Sequence, residues 1–194
     1  MRLKLVLISF LAMIAFASQS QAQTQAARWS IEKADKWYLS HKWLTGANYI
    51  PDNAINQLEM WQEDTFSPEL IDKELTLAEN IEFNTLRVFL HSLARKEDPD
   101  GFKKRINRFL SIAQKHHIQP LFVFFDDCWN ATPKAGKQPT PKTGVHNSGW
   151  VQDPGLPASE DTSNSTTNPF STRILCVVNG GWKSCELIKT WFNS

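Results

Sequence analysis

Beyond residue 17 this chain has no long hydrophobic run, no excess of charge of one sign, no glycine-rich phosphate loop and no cysteine spacing that would hold zinc. Each absence excludes something. A net charge of +1 over 194 residues leaves no basic stripe for a phosphate backbone, which sets nucleic acid aside. Lys103, Lys104, Arg105 and Arg108 instead fall on what reads as the solvated side of an amphipathic helix. No Gly-rich turn follows the first expected strand, so a nucleotide-binding fold is disfavoured and no cofactor is expected. Three cysteines, Cys128, Cys176 and Cys185, are an odd number. At least one thiol would stay unpaired in a monomer, and the sequence leaves the pairing open. What remains is an ordinary globular composition, 41% apolar and 21% charged, with an unusual number of aromatics, eight Trp and twelve Phe. Exposed Trp is a common means of gripping the flat apolar faces of ligands.

The first 22 residues have the layout of a secretory signal peptide. Arg2 and Lys4 form a positive n-region, and Leu5 to Ala17 an apolar h-region too short to span a bilayer. Ser20-Gln21-Ala22 is an A-x-A-like cleavage site before Gln23, and no Cys follows the h-region to carry a lipid. The expectation is a secreted or periplasmic protein with no membrane association after cleavage. Removal of those 22 residues would leave 172.

After a linker over residues 23–29, Ser30 can cap a helix through about Ser40, whose Trp37 and Leu39 suit a lid packed on the body of the domain. Trp43 to Ile50 reads as the first strand, leading through Asn48 and Tyr49 into a loop that holds Asn53, Asn56, Gln57 and Trp61. Ser67-Pro68-Glu69 is a helix start, with cap, proline and acid in place, and Leu70, Ile71, Leu75, Leu77, Ala78 and Ile81 carry the helical period. Asn84 to His91 is a second strand. Its apolar run reads as buried on both faces, so Arg87 in its middle requires a carboxylate partner. Pro99 opens a second long helix with Phe102, Ile106, Phe109, Leu110, Ile112 and Ala113 on its buried face, ending near His116 and His117. Gln119 to Asp127 is the third strand.

Strand, helix, strand, helix, strand with apolar strands and amphipathic crossovers specifies a parallel α/β sheet. Ligands in such sheets bind beyond the C-terminal strand ends, where Asn48, His91, Asp126, Asp127 and Trp129 fall. Cys128 to Pro157 is a long loop with Trp129, His146, Asn147, Ser148 and Trp150, and loops of this length are functional or disordered; its tryptophans and polar neighbours favour function. From Asp161 to Thr172 the composition turns to Ser, Thr and Asn, and Arg173 to Ser194 has one apolar run, Ile174 to Val178, with no dependable element pattern.

Four blocks carry a resemblance: Ala54 to Trp61 (AINQLEMW), Asn84 to His91 (NTLRVFLH), Phe122 to Trp129 (FVFFDDCW) and Gly144 to Gln152 (GVHNSGWVQ). In this order they resemble the N-terminal part of secreted clan A glycoside hydrolases, (β/α)₈ barrels close to the family-five cellulases and mannanases and to proteins labelled cellulase-like or 1,4-β-xylanase. The likeness runs from about Arg28 to Pro157. It implies a partial TIM barrel of three strands over residues 30–157, an atypical tail over 158–194, and a polysaccharide or oligosaccharide of the plant β-glycan type as substrate. It also implies that Arg87 orients the nucleophilic glutamate. Asn48, His91, Asp126, Asp127, Trp129, His146, Asn147 and Trp150 would line the sugar cleft. Only one of Asp126 and Asp127 can face it, since adjacent strand residues point to opposite faces, and hydrogen bonding to hydroxyls suits either better than acid catalysis.

Retaining enzymes of this kind use two carboxylates about 5 to 5.5 Å apart. In the clan one of them lies in an Asn-Glu pair. No Asn-Glu pair occurs after the third strand, and the later glutamates, Glu160 and Glu186, match no motif. A full barrel takes about 250 residues. The expectation is therefore an inactive first third to half of a barrel, followed from about Asp161 by a foreign stretch of the kind a frameshift or premature stop would leave, or else a carbohydrate-binding protein without the chemistry.

Overall fold

A computed structural model describes residues 29–126 and 128–156 and the backbone strand Leu175–Val177. The expected signal segment, Asp127, Glu160, Glu186, the side chains of Cys176 and Cys185 and most of the expected tail lie outside the described residues. The chain divides into two units, Met1–Trp43 and Leu44–Ser194.

In the first unit, Ser30 caps helix α1 (Ile31–Leu39), its hydroxyl accepting from the Lys33 N–H at 3.3 Å. No residue of α1 is buried, and Leu39 is 80% exposed. Within this unit Trp37 stacks on His41, with ring centroids 4.3 Å apart, and meets the edge of Trp29.

The second unit is mixed α/β. Strands β1 (Gly46–Tyr49), β2 (Thr85–Phe89) and β3 (Gln119–Val123) are parallel in that order, and β4 (Leu175–Val177) adds to β3 antiparallel. The strand in the tail corrects the expectation of no pattern there: an aliphatic run can satisfy the open backbone edge of β3. Between the strands lie α2 (Gln57–Trp61), α3 (Pro68–Asn80), α4 (Ser92–Glu97) and α5 (Pro99–Lys115). The two long helices stand where their starts and periods put them, although the Ser67 side chain makes no capping hydrogen bond and Leu77 and Ile81 remain exposed. Where the sequence suggests only a loop, Asn56 caps α2, its Oδ1 accepting from the Glu59 N–H at 2.9 Å. At Gly46 a Cβ would lie 1.8 Å from the Thr85 carbonyl oxygen, so only glycine lets β1 approach β2 this closely.

The core lies between the sheet and α3 and α5. Every position expected on the buried face of α5 is buried. Trp61 meets the edges of Phe102 and Phe109 at 5.7 Å and stacks near Phe66, and its indole N–H donates to the Phe89 carbonyl at 2.7 Å. Arg105 is not solvated as expected. Its Nε donates to the Trp61 carbonyl at 2.7 Å and its Nη1 meets Asp98 at 2.9 Å, which satisfies a cation pulled inside by its neighbours Phe102, Ile106 and Phe109. The ends of α3 and α5 are clamped by His116, whose two ring nitrogens meet Asp72 at 2.7 Å and Glu79 at 2.9 Å. Hydrogen bonds from Lys115 and His116 hold the Asp72 carboxyl below its ordinary range, and those from His116 and His117 do the same for Glu79. Depressed carboxyl pKa values mean that this support is present above about pH 4.5 and is lost as acid protonates the pair.

Arg87 is exposed, and no carboxylate meets it among the described residues. Residues alternate across a strand. Leu86 and Val88 belong to the buried core cluster; Arg87 lies on the other face and is exposed, although Phe89 on that face is buried. The expectation of burial on both faces is corrected at that position.

Phe109 touches Tyr49, Trp61 and Phe122, joining β1, α2 and β3. Phe109→Ala is expected to lower unfolding stability by about 3–5 kcal/mol in chemical denaturation, whereas Leu77→Ala on the exposed side of α3 should change it by less than about 1 kcal/mol.

Candidate glycan-binding rim

The long loop after β3 is ordered by side-chain amides from around α2. Asn56 Nδ2 donates to the Gly149 carbonyl at 2.8 Å and to Gln138 Oε1 at 2.9 Å. Gln57 Nε2 donates to the Val151 carbonyl at 2.5 Å. Gln62 pairs with the Gly136 peptide in both directions, accepting its N–H at 2.5 Å and donating to its carbonyl at 3.1 Å. Gly149 is buried, and a Cβ there would sit 2.5 Å from the Ile55 Cγ2. The loop closes on itself through a two-way backbone bridge between Asp126 and Asp153, 2.7 Å each way, and through the Gln152 N–H bonded to the Asn130 carbonyl at 2.8 Å. Order rather than disorder thus describes this loop.

Docked in this way, the loop carries four of the sequence-predicted residues to the C-terminal end of the sheet. The Arg87 guanidinium lies 4.7 Å from the Phe89 ring centroid, a cation–π contact. Phe89 meets Trp150 edge-on at 5.4 Å, Trp150 meets Trp129 at 6.4 Å, and Trp129 meets His146 at 5.7 Å. The result is a continuous aromatic ridge from the Arg87 face of the sheet to the loop. Trp129 is 41% exposed and has φ +76°, a left-handed backbone that a bulky aromatic adopts only where the surroundings enforce it. Asn147 also has positive φ, and its carbonyl accepts from the Trp150 N–H at 2.9 Å; it makes the turn that presents Trp150. Asn48 lies within β1, exposed, in register with Arg87. Asp126 is half-buried and its Oδ1 accepts from the Cys128 N–H at 3.3 Å. Beside Trp150 opens a cleft of about 320 Å³ lined by Asn130, Thr132, Lys134, Lys137 and Gln138 among others.

His91 does not line that rim; it is buried below it. Its Nδ1 accepts from the Leu93 N–H at 3.1 Å and caps α4. Asp153, also buried, accepts from the Ser92 N–H at 2.9 Å and from the Ser92 hydroxyl with the same Oδ1. The two side chains are 3.4 Å apart, Nδ1 to Oδ1, but both atoms already accept hydrogen bonds, so the contact is not an ion pair while His91 is neutral. Among the described residues, His91 Nε2 and Asp153 Oδ2 meet no hydrogen-bond partner of good geometry. Burial lowers the His91 pKa to about 4, against a smaller opposing effect of the Gln152 backbone. Burial raises the Asp153 carboxyl to about 7, with the Asp126 charge adding to the rise and the Ser92 hydrogen bonds opposing it. The pair is therefore neutral in weak acid, with the proton on the carboxyl.

Sequence reasoning missed Asp153, Phe89, Lys134, Lys137 and Gln138. The Asp153-Pro154 dipeptide is a turn signal that could have drawn attention to the first of these. No group of three or more His, Cys, Asp or Glu among the described residues could hold a metal, and no described helix is long and apolar enough to cross a membrane. No protein-family model matches this chain, and no curated protein or solved structure is similar to it.

A raised carboxyl pKa favours the folded state most in acid, and that advantage is lost as pH climbs toward about 7. The lowered pKa of His91 acts oppositely between about pH 4 and 6.5 and offsets it in the native protein. Asp153→Asn keeps the Ser92 acceptor and removes the titration. The variant is expected to gain stability relative to the native protein as pH rises from about 4 to 7, by up to about 4 kcal/mol in denaturant melts; a difference independent of pH would contradict the assignment.

Proposed function

We propose that this chain is an exported β-glycan-binding protein built on the first three strands of a clan A glycoside-hydrolase-like barrel, and that it binds without hydrolysing. The observation that carries the proposal is the aromatic ridge of Arg87, Phe89, Trp150, Trp129 and His146 at the strand ends, with Trp129 exposed in a constrained backbone. Flat indole faces beside hydrogen-bonding loop groups suit pyranose rings, which have apolar faces and hydroxyl edges. Further support comes from the parallel β-α-β order, from the placement of the ridge beyond the C-terminal strand ends, and from the four sequence blocks that resemble the clan.

Catalysis is left out of the proposal for a chemical reason. A retaining mechanism needs a nucleophile and an acid/base within about 5.5 Å of each other. Glu59, the glutamate within α2, is buried and accepts from the Ile55 N–H at 2.6 Å, which commits it to the α2 turn. Asp153 carries a proton near neutrality but is fully buried under the loop, out of reach of a polymer. Arg87 then has no nucleophile to orient among the described residues, and its role becomes that of a polar flank to the ridge.

Isothermal titration of the full chain with cello-, manno- and xylo-oligosaccharides tests this. Binding to at least one series is expected, with no release of reducing ends, and Trp129→Ala should weaken it about five- to tenfold, the loss of roughly 1 kcal/mol of ring stacking. Absence of binding to all three series, or unchanged affinity in Trp129→Ala, would overturn the proposal.

A further inference from the structure

The cleft beside Trp150 has a charge that a neutral sugar does not require. Lys134 and Lys137 line it, no Asp or Glu does, and from Cys128 to Gln152 the chain has three lysines and no acidic residue. Among the described residues neither Lys134 nor Lys137 has an ion-pair partner. Several neutral polar groups around them are engaged within the loop. The Thr132 hydroxyl bonds to Asn130 Oδ1 at 3.1 Å, and the Ser148 hydroxyl accepts from the Lys142 N–H at 2.7 Å. Gln138, 4% exposed, gives its amide N–H groups to the carbonyls of Lys134 at 3.0 Å and Gly136 at 2.7 Å while its oxygen accepts from Asn56. The charged donors in the cleft are the two ammonium groups, beside the Asn130 amide and the Trp150 indole N–H.

Their backbone is also held in place. Gln138 ties the Lys134 and Gly136 carbonyls together, and Gln62 grips the Gly136 peptide from both sides, so the turn that carries both lysines is fixed before any ligand arrives. One wall of the cleft is Trp150, the central member of the aromatic ridge. An aromatic ring and two cations lining one cleft suit a ligand that is at once a flat-faced ring and an anion. The volume of about 320 Å³ lies at the small end for ligand pockets, which fits a single substituent and not a length of polymer.

We propose that this cleft is a uronate subsite, taking an acidic sugar borne on the glycan, with the ring against Trp150 and its carboxylate between Lys134 and Lys137. This rests on the glycan-binding reading above and names its ligand class: a glucuronic-acid-substituted β-glycan over an unsubstituted one. Both lysines are exposed, so their contribution is screened by salt.

Titration calorimetry of the full chain would compare xylotetraose with the same backbone carrying one glucuronic acid, at low and high salt, and inorganic phosphate alone as a bare anion. The acidic ligand is expected to bind about tenfold more tightly at low salt, a preference of about 1.4 kcal/mol. That preference should collapse at high salt and in the Lys134→Ala/Lys137→Ala double variant, with affinity for xylotetraose retained and phosphate failing to displace the acidic ligand. Equal affinity for the two oligosaccharides would overturn the subsite and leave glycan binding intact. A preference that survives loss of both lysines, or displacement by phosphate at equal concentration, would also overturn it, the latter in favour of a general anion site. If neither oligosaccharide nor the cello and manno series binds, glycan binding falls and the subsite with it.

Discussion

The grip of the side-chain amides around α2 on the loop that follows β3 is the constraint on which the rest of the rim depends. A loop of more than 20 residues has to satisfy its backbone polar groups without a sheet or helix of its own. Asn56, Gln57 and Gln62 do this from outside, reaching Gly149, Val151 and Gly136. Amides suit the task because each can donate and accept without carrying a charge into a buried site. Asn56 serves twice, capping α2 with its oxygen and holding the loop with its nitrogen, so the start of the helix and the position of Trp150 are set by one residue. Without that grip the aromatic ridge would lose Trp150, and the lysine cleft would lose its wall.

Below the loop, burial imposes a second constraint. His91 and Asp153 sit where α4 begins and where the loop returns to the sheet, and neither can hold a charge cheaply there. A proton that would sit on the imidazole in the unfolded chain in weak acid sits on the carboxyl in the folded one. The loop is thereby attached through a neutral pair, with Ser92 supplying the hydrogen bonds that a charged partner would otherwise provide.

Much of the fold was legible in the sequence, because the periods of α3, α5 and the three parallel strands are set by local apolar spacing. The parts that were not legible share a physical cause. Arg87 and Arg105 were assigned opposite to their observed environments: the exposure of a strand residue depends on what packs against its position, and the burial of a helix residue depends on partners such as Trp61 and Asp98, distant in sequence. Helix α2 was missed because five residues are too few to show a period. At the rim, Trp129, His146 and Trp150 were named from the sequence and meet in space, as Arg87 does through Phe89. His91 was named too but lies underneath, and Asp153 was passed over because a single aspartate before proline looks like any turn.

The central claim is that the amides of α2 and its caps hold the loop over the sheet, beyond what burial of Val151 in the core provides. Amide hydrogen exchange on Asn56→Ala tests it most directly. Protection is expected to fall at the Trp150 and Gln152 amides, whose hydrogen bonds lie within the loop, and to persist at Leu90, whose N–H bonds to the Val123 carbonyl in the sheet. Protection at Trp150 and Gln152 equal to that of the native protein would contradict the account.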